Sequence, residues 1–99
     1  MQQGTKTWMT ITWHAGRQRY EVRFHANEEQ LRRVVEDLKR IDLEHRSHNS
    51  ASRVWSIARE GLEEVLAVAA RHFDEATLVE GSRYRNLVTG QIAEQLVLF

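Results

Sequence analysis

The strongest constraint on the fold is a change of hydrophobic period at Asn27. Before it, apolar and polar residues alternate over residues 8–14 and again over 19–25, which is the period of a half-buried strand. The turn between the two runs contains Gly16, which can adopt a positive φ. The first apolar face comprises Met9, Ile11, Tyr20, Val22 and Phe24. After Asn27 the apolar residues recur at helical spacing, at Leu31, Val34, Val35, Leu38 and Ile41. A β-hairpin packed against an amphipathic helix is therefore predicted.

The helix has a clear beginning and a less distinct end. Asn27 is a good N-cap, Gln30 occupies the capping-box position, and Glu28 and Glu29 suit the positive end of the helix dipole. We expect the helix to continue to about Glu44 or Arg46. The polar segment 45–50 is then the predicted connection.

Residues 52–73 fit two structures. Apolar residues at helical spacing favour one long helix, with its face formed by Val54, Ala58, Leu62, Val65, Ala69 and Phe73. The competing interpretation is a strand over residues 53–58, with Gly61 opening a shorter helix. A glycine inside a helix costs about 1 kcal/mol relative to alanine, which weakens the long helix without excluding it.

The remaining chain predicts a second hairpin and a tail. Residues 76–80 and 83–88 have strand character, and Gly81-Ser82 is a turn signal between them. Gly90 interrupts the pattern, and residues 91–94 are expected to be a spacer. The predicted fold class is therefore α+β, with an N-terminal hairpin, two helices and a C-terminal hairpin. Residues 1–90 form one small domain and residues 91–99 a tail.

Composition narrows the possible functions. The chain has 99 residues and no cysteine, which excludes disulfide and thiolate metal sites and suits a reducing cytoplasm. It contains neither an apolar run of membrane-spanning length nor an N-terminal signal-peptide pattern. Fourteen basic and fourteen acidic residues give a net charge of zero, which argues against strong autonomous binding to duplex DNA. We therefore expect a cytoplasmic protein without a membrane partner.

Residues 1–90 contain no convincing metal-binding or catalytic motif. His45 and His48 could share a helix face, and His14 and His25 could face each other on the hairpin, but neither pair belongs to a recognised metal-ligand set. Serine-elbow and phosphate-loop motifs are absent from the sequence. We therefore expect no catalytic residue, no metal and no cofactor.

Two further groups of residues suggest binding surfaces rather than catalysis. Trp13 is expected in the core, whereas Trp8 and Trp55 fall off the predicted apolar faces and could mark a partner surface. The arginines of the two hairpins could form a weak basic patch, and these are Arg17, Arg19, Arg23, Arg83 and Arg85.

The most specific motif is the C-terminal pentapeptide Gln95-Leu96-Val97-Leu98-Phe99. It resembles the peptide by which bacterial replication and repair proteins dock onto the DNA sliding clamp, and it matches all four specified positions. Leu98 and Phe99 are rigid apolar anchors for a preformed pocket, and the Gln95 amide can orient the peptide at its entrance. The alternative is a buried terminal strand, with Leu96 and Leu98 on one face.

The resemblance implies a non-enzymatic accessory protein that docks on the bacterial sliding clamp through Gln95, Leu96, Leu98 and Phe99. Such a protein would act in DNA replication, repair or mutagenic synthesis, and its contact with DNA would be weak or indirect. The alternative is a small phage-type interaction protein. Residues 52–64 are similar to a helical stretch in phage proteins that sequester cyclic-nucleotide signals. The oligomeric state is left open.

Overall fold

The computed structural model of the chain describes residues 6–94, which contain seven strands and two α-helices. The elements in chain order are β1 (Trp8–His14), β2 (Arg19–His25), α1 (Glu28–Leu38), β3 (Arg46–Asn49), β4 (Val54–Ala58), α2 (Leu62–His72), β5 (Glu75–Glu80), β6 (Arg83–Asn86) and β7 (Ile92–Glu94). Single 3₁₀ turns at Leu43–His45 and Arg59–Gly61 precede β3 and α2. The α+β class is confirmed, although strands outnumber the predicted ones.

All seven strands belong to one sheet, in the order β3-β4-β2-β1-β5-β6-β7. Neighbouring strands are antiparallel except β1 and β5, which are parallel. The predicted N-terminal hairpin is confirmed, with Ile11 opposite Val22. Ile11 also pairs with Leu78 of β5, so β1 joins the two halves of the sheet. The β3 and β7 strands form its two edges.

The turns of the two hairpins differ in which residue adopts the left-handed conformation. Between β1 and β2 this residue is Gln18, with φ 56°, whereas Gly16 is not left-handed. The predicted role of Gly16 is therefore wrong. In the second hairpin Gly81 has φ 65°, which a glycine adopts without a steric penalty. The Gly81-Ser82 turn signal is thus confirmed.

The first helix begins as predicted and ends early. The Oδ1 atom of Asn27 accepts a hydrogen bond from the Gln30 backbone N–H at 2.8 Å. The helix ends at Leu38, not near residue 44, and the next backbone bonds (Ile41 N–H to the Leu38 carbonyl among them) span three residues. Ile41 is nevertheless fully buried. The apolar residues at helical spacing are therefore buried beyond the end of the helix, which is why the spacing predicted a helix that was too long.

The long helix predicted over residues 52–73 is wrong. Residues 54–58 form β4, which pairs with both β2 and β3, and its buried Trp55 and Ile57 alternate with half-buried residues. The shorter helix that follows is the alternative that the sequence left open. A Cβ on Gly61 would lie 2.9 Å from Ile57 Cγ2 and 3.1 Å from Ile41 Cγ2. Glycine thus allows the chain to pass close to the core between strand and helix.

Two predicted connections are strands. The polar segment 45–50 contains β3, which pairs with β4, and the expected spacer 91–94 contains β7, which pairs with β6. Both are edge strands of three or four residues, so each presents little apolar surface in its sequence. The sheet consequently extends beyond the predicted domain boundary at residue 90. The predicted hairpin of β5 and β6 is confirmed.

Both helices pack on one face of the sheet, and the core lies between these two layers. The buried apolar residues are Met9, Ile11, Tyr20, Val22, Val34, Leu38, Ile41, Trp55, Ile57, Val65, Val68, Ala69, Phe73, Ala76 and Leu78. Leu31 is the exception within the predicted helix stripe, since 43% of it is exposed. Two helices, each about 10 Å across, cover about four strands spaced about 4.8 Å apart. The two helices therefore do not extend over the margins of the seven-stranded sheet beside β3 and β7.

Candidate functional site

The predicted clamp-docking residues Gln95, Leu96, Leu98 and Phe99 lie outside the described residues, so their role stays a prediction. The described chain leads to them through β7, whose last residue is Glu94. Among the described strands this one pairs with β6 alone, and it lies at an edge of the sheet. Gln95 is therefore covalently attached to an edge strand.

The histidines do not form the pairs that the sequence suggested. His14 lies opposite Arg19 at one end of the first hairpin, and His25 lies opposite Trp8 at the other end. His45 belongs to a 3₁₀ turn and His48 to β3, so they do not share a helix face. Over residues 6–94, no group of three or more histidine, aspartate and glutamate side chains is arranged to hold a metal ion.

The arginines of the two hairpins lie on opposite faces of the sheet. Arg85 is opposite Leu78, which belongs to the helical side. Arg19 and Arg23 alternate with the buried residues of β2 and therefore lie on the open side. Arg19 also donates through Nε to Ser56 Oγ at 2.7 Å. The predicted joint basic patch is consequently wrong.

The tryptophans have three different environments. Trp55 is only 5% exposed and packs in the core, so the prediction that it lies off the apolar face is wrong. Trp13 is half-buried, with its ring 4.8 Å from that of Tyr20 and the Arg59 guanidinium 4.8 Å from its centre. Trp8 is 39% exposed, on the open face of the sheet. Of the two tryptophans expected at a partner surface, Trp8 is the one that is exposed enough to contact a partner.

A cleft of about 770 Å³ occupies the uncovered margin beside β3. We call it the β3 cleft, and it is lined by Phe24, His25, Ala26, Leu31, Val35, Lys39, Arg46, His48, Ser50, Arg53 and Trp55. One wall is the ridge of α1 formed by Leu31, Val35 and Lys39, which recur every four residues. The other wall is the helical side of β2, β3 and β4. Its volume is within the range of small-molecule sites.

The floor of the β3 cleft is apolar and partly aromatic. Phe24 is half-buried, and its ring is held edge-on by Phe73 at a centroid distance of 5.6 Å. The His48 ring lies 4.7 Å from the Trp55 ring, inclined by 34°. Register explains this contact, because His48 is directly opposite Trp55 in the β3–β4 pair. The aromatic groups are therefore fixed by the sheet before any ligand arrives.

The rim of the β3 cleft carries one sign of charge. Its lining residues with ionisable side chains are His25, Lys39, Arg46, His48 and Arg53, of which His25 has its side chain on the open face, opposite Trp8, and no aspartate or glutamate of residues 6–94 lines the cleft. Within residues 6–94, none of these five side chains takes part in an ion pair. The Arg46 guanidinium donates through Nε to the Ile41 carbonyl at 2.8 Å, which fixes its position. This basic rim contrasts with the net charge of zero for the whole chain.

Arg53 reaches the rim from a strained backbone position. It directly precedes β4 and has φ 58°, a left-handed conformation that costs a non-glycine residue about 1 kcal/mol or more. The preceding turn is ordered by Asn49, whose Oδ1 accepts the N–H groups of Ala51 and Ser52 at 3.0 and 3.2 Å. Glycine would suit this position better, yet arginine occupies it.

Sequence reasoning missed the β3 cleft because its lining comes from four elements. Two of these, β3 and β4, were predicted as a connection and part of a helix. The sequence did contain one signal for this site, because the alternating segment 54–58 could have been predicted as a strand with the polar segment 46–49 as its partner. Only strand pairing brings Arg46 and His48 to the same side as Trp55.

A second polar cluster joins the two helices. Asp37 Oδ2 lies 2.7 Å from His72 Nε2 and 3.1 Å from Arg71 Nη1, and Oδ1 lies 3.7 Å from Arg40 Nη1. The Gln30 amide donates to the His72 carbonyl. The hydrogen bond with His72, together with Arg71 and the positive charges, holds the pKa of Asp37 below its usual value, against the opposing effect of burial. We assign this cluster a structural role, because it holds α1 against α2.

This pKa shift predicts a pH-dependent effect of Asp37→Asn. Because the pKa of Asp37 is lower in the folded state, its contribution to stability is present above the unfolded-state value of about 4 and is lost as the pH falls through the folded-state pKa. The variant should therefore be less stable than the parent at pH 7, and the difference should shrink below about pH 4. Urea unfolding at pH 7, 5, 4 and 3 measures it. A difference that stays constant over this range would contradict the assignment.

Tyr20 forms a further polar contact at the other end of the core. Its hydroxyl donates to Glu80 Oε2 at 2.8 Å. Burial, reinforced by the Glu80 carboxylate, raises the pKa of Tyr20 to about 12. The phenol therefore stays protonated at neutral pH and can keep donating this hydrogen bond, which joins β2 to β5.

Comparison with known proteins gave no family assignment. No protein-family model, curated protein or solved structure gave a significant match to the chain. Among residues 6–94, neither helix has the length and apolar character needed to cross a membrane.

Proposed function

We propose that this protein is a non-enzymatic accessory or regulatory protein that docks on the bacterial DNA sliding clamp and acts in DNA replication, repair or mutagenic synthesis. The observation that carries the proposal is the match of Gln95, Leu96, Leu98 and Phe99 to the four specified positions of the clamp-binding peptide. Val97 occupies the tolerant position. Leu98 and Phe99 supply the apolar anchors, and Gln95 supplies the orienting amide.

The place of attachment supports this proposal. The peptide follows β7, which within residues 6–94 is an edge strand with β6 as its one neighbour. If the peptide extends outward from this edge, a partner can reach it without displacing the two helices or the core, which lie over the middle strands. The peptide can then bind by its own contacts.

The charge of the body agrees with recruitment through another protein. Basic and acidic residues balance, and the arginines of the two hairpins lie on different faces. A protein with this distribution gains little affinity for the phosphate backbone by itself. Docking on a clamp that encircles DNA would raise its effective concentration near DNA without a basic surface.

The direct test is binding of purified sliding clamp to the full chain and to a variant lacking residues 95–99. The full chain should bind, and the shortened variant should not. Val97→Ala is the matched control, because it changes the tolerant position and should alter the affinity by less than about twofold. Absence of clamp binding by the full chain would overturn the proposal.

The helical resemblance behind the nucleotide-sequestering alternative is wrong, although the structure does not test the function itself. It depends on residues 52–64 being a helical stretch, whereas residues 54–58 form β4 and pair with two other strands. We therefore do not carry that resemblance forward.

A further inference from the structure

We propose that the β3 cleft is a binding site for a mononucleotide, that is, a planar heteroaromatic ring carrying a phosphate group. This site is separate from the clamp-docking peptide, since β3 and β7 are the two opposite edges of the sheet. The inference follows from the combination of an aromatic floor, a rim of uniformly positive charge and a strained arginine.

The rim selects an anion with more than one negative charge. Three cationic residues, Lys39, Arg46 and Arg53, belong to the lining, and within residues 6–94 no carboxylate lines the cleft and none of the three is neutralised by an ion pair. Uncompensated cations that converge on one cavity repel each other, and a bound phosphate relieves this repulsion. Arginine binds phosphate through paired N–H groups, and lysine binds it as a point charge. Arg53, Arg46 and Lys39 supply these groups.

The floor selects a flat apolar group rather than an acyl chain. Phe24, Val35 and Leu31 present apolar surface beside the His48–Trp55 stack. Val34, Leu38 and Ile57 of the core are fully buried and do not line the cleft, so the floor of the cleft is formed by the lining residues named above. A nucleobase can lie on this floor with its ring against aromatic and aliphatic side chains. The volume of about 770 Å³ accommodates a base, a sugar and a phosphate.

A bound mononucleotide would explain both the exposure of Leu31 and the strained backbone of Arg53. Leu31 belongs to the apolar stripe of α1 but faces the cleft, where a ring would cover it. The left-handed backbone of Arg53 would favour glycine on steric grounds. An arginine at such a position is the pattern expected when a side chain is kept for binding.

The experiment is calorimetric titration of the full-length protein with adenosine monophosphate, with adenosine and inorganic phosphate as separate probes. Adenosine monophosphate should bind saturably, and each fragment should bind at least about tenfold more weakly, because each engages only the floor or only the rim. Failure of adenosine monophosphate to bind at millimolar concentration would overturn the proposal. So would tight binding of single-stranded oligonucleotide without binding of the mononucleotide.

The variant Arg53→Gly tests nucleotide affinity independently of the stability of the fold. The substitution removes the guanidinium and relieves the left-handed strain, so the melting temperature should stay the same or rise while affinity falls at least about tenfold. Lys39→Glu, at an exposed position of the rim, should also weaken binding. Arg17→Ala is the matched control, because it removes one positive charge from the exposed β1–β2 turn and should leave affinity within about twofold. Equal losses in Arg53→Gly and Arg17→Ala would indicate nonspecific attraction and overturn the site.

The double variant Leu98→Ala, Phe99→Ala distinguishes this inference from the proposed function. It should retain nucleotide binding even if clamp docking is lost, because the cleft residues end at Trp55. Loss of nucleotide binding in this variant would overturn the assignment to the β3 cleft.

Discussion

Leu38→Ala is expected to lower the free energy of unfolding by about 3–5 kcal/mol, the upper range for a leucine in a rigid core. Leu38 is 0% exposed, at the end of α1 where this helix packs on the sheet. Removing its side chain deletes apolar burial and leaves a cavity that the surrounding strands, fixed by hydrogen bonds, cannot fill. Domains of this size are stable by only about 5–15 kcal/mol, so the variant should unfold in much less denaturant.

The chain contains a matched control for this substitution. Leu43 lies in the 3₁₀ turn before β3 and is 72% exposed, so Leu43→Ala changes the same atoms without leaving a cavity. Its effect should stay below about 0.5 kcal/mol. Urea unfolding followed by tryptophan fluorescence measures both variants. Similar losses for Leu38→Ala and Leu43→Ala would mean that the packing of α1 on the sheet is not as described.

The parts of the fold that could be predicted from sequence are those specified by neighbouring residues. The alternation in β1 and β2 is continuous, and the cap at Asn27 is a local hydrogen bond to the Gln30 backbone. The β5–β6 turn depends on one glycine with positive φ. In each case the deciding interaction lies within a few residues along the chain. These elements are found where the sequence placed them.

The errors occur where pairing with distant strands decides the structure. Residues 54–62 satisfy both a helical and an alternating pattern, and the strand is selected because β4 pairs with β2, from which about 35 residues separate it. β3 has no apolar alternation, since Arg46 and His48 face a cleft rather than the packed core. Neither choice could be read from local periodicity. The strand conformation of β3 and that of β4 both depend on pairing within the sheet to which the β1–β2 hairpin belongs.

The β3 cleft was hidden for a related reason. Its cationic residues Lys39, Arg46 and Arg53 come from the C-cap of α1, from β3 and from the turn before β4, and each has acidic or neutral residues near it in the sequence. A net charge of zero then conceals a local concentration of positive charge. The clamp-like peptide is the opposite case, because five consecutive residues specify it completely. A docking motif of consecutive residues is therefore easier to detect in a sequence than a site whose residues come together only on folding.

The β3 cleft and the strand that leads to the proposed docking peptide lie at opposite margins of one sheet. Six intervals of about 4.8 Å separate β3 from β7, a span of about 29 Å before twist. A clamp bound beyond β7 would therefore leave the β3 cleft open. Nucleotide binding and clamp docking are expected to be compatible, and any coupling between them would have to pass through the sheet and the helices that cover it.

Replacing both Leu98 and Phe99 with alanine is expected to weaken clamp binding by at least about 2 kcal/mol, or roughly thirtyfold. These two side chains are the proposed apolar anchors, and truncation removes most of the surface that a preformed pocket would bury. The melting temperature should remain nearly unchanged, because a peptide that serves as a clamp ligand contributes little to the packing of the free protein. Calorimetric titration with purified clamp and thermal unfolding of the same preparations measure the two effects.

The buried-strand alternative predicts the reverse pattern. If Leu98 and Phe99 instead complete a packed strand, the double variant should melt at a much lower temperature, as large-to-small substitutions in a core do. Val97→Ala then provides the internal comparison, since a clamp ligand tolerates this change and a buried strand loses stability. A lower melting temperature in the double variant, together with no measurable clamp binding by the parent protein, would reject clamp docking and assign residues 95–99 to the fold.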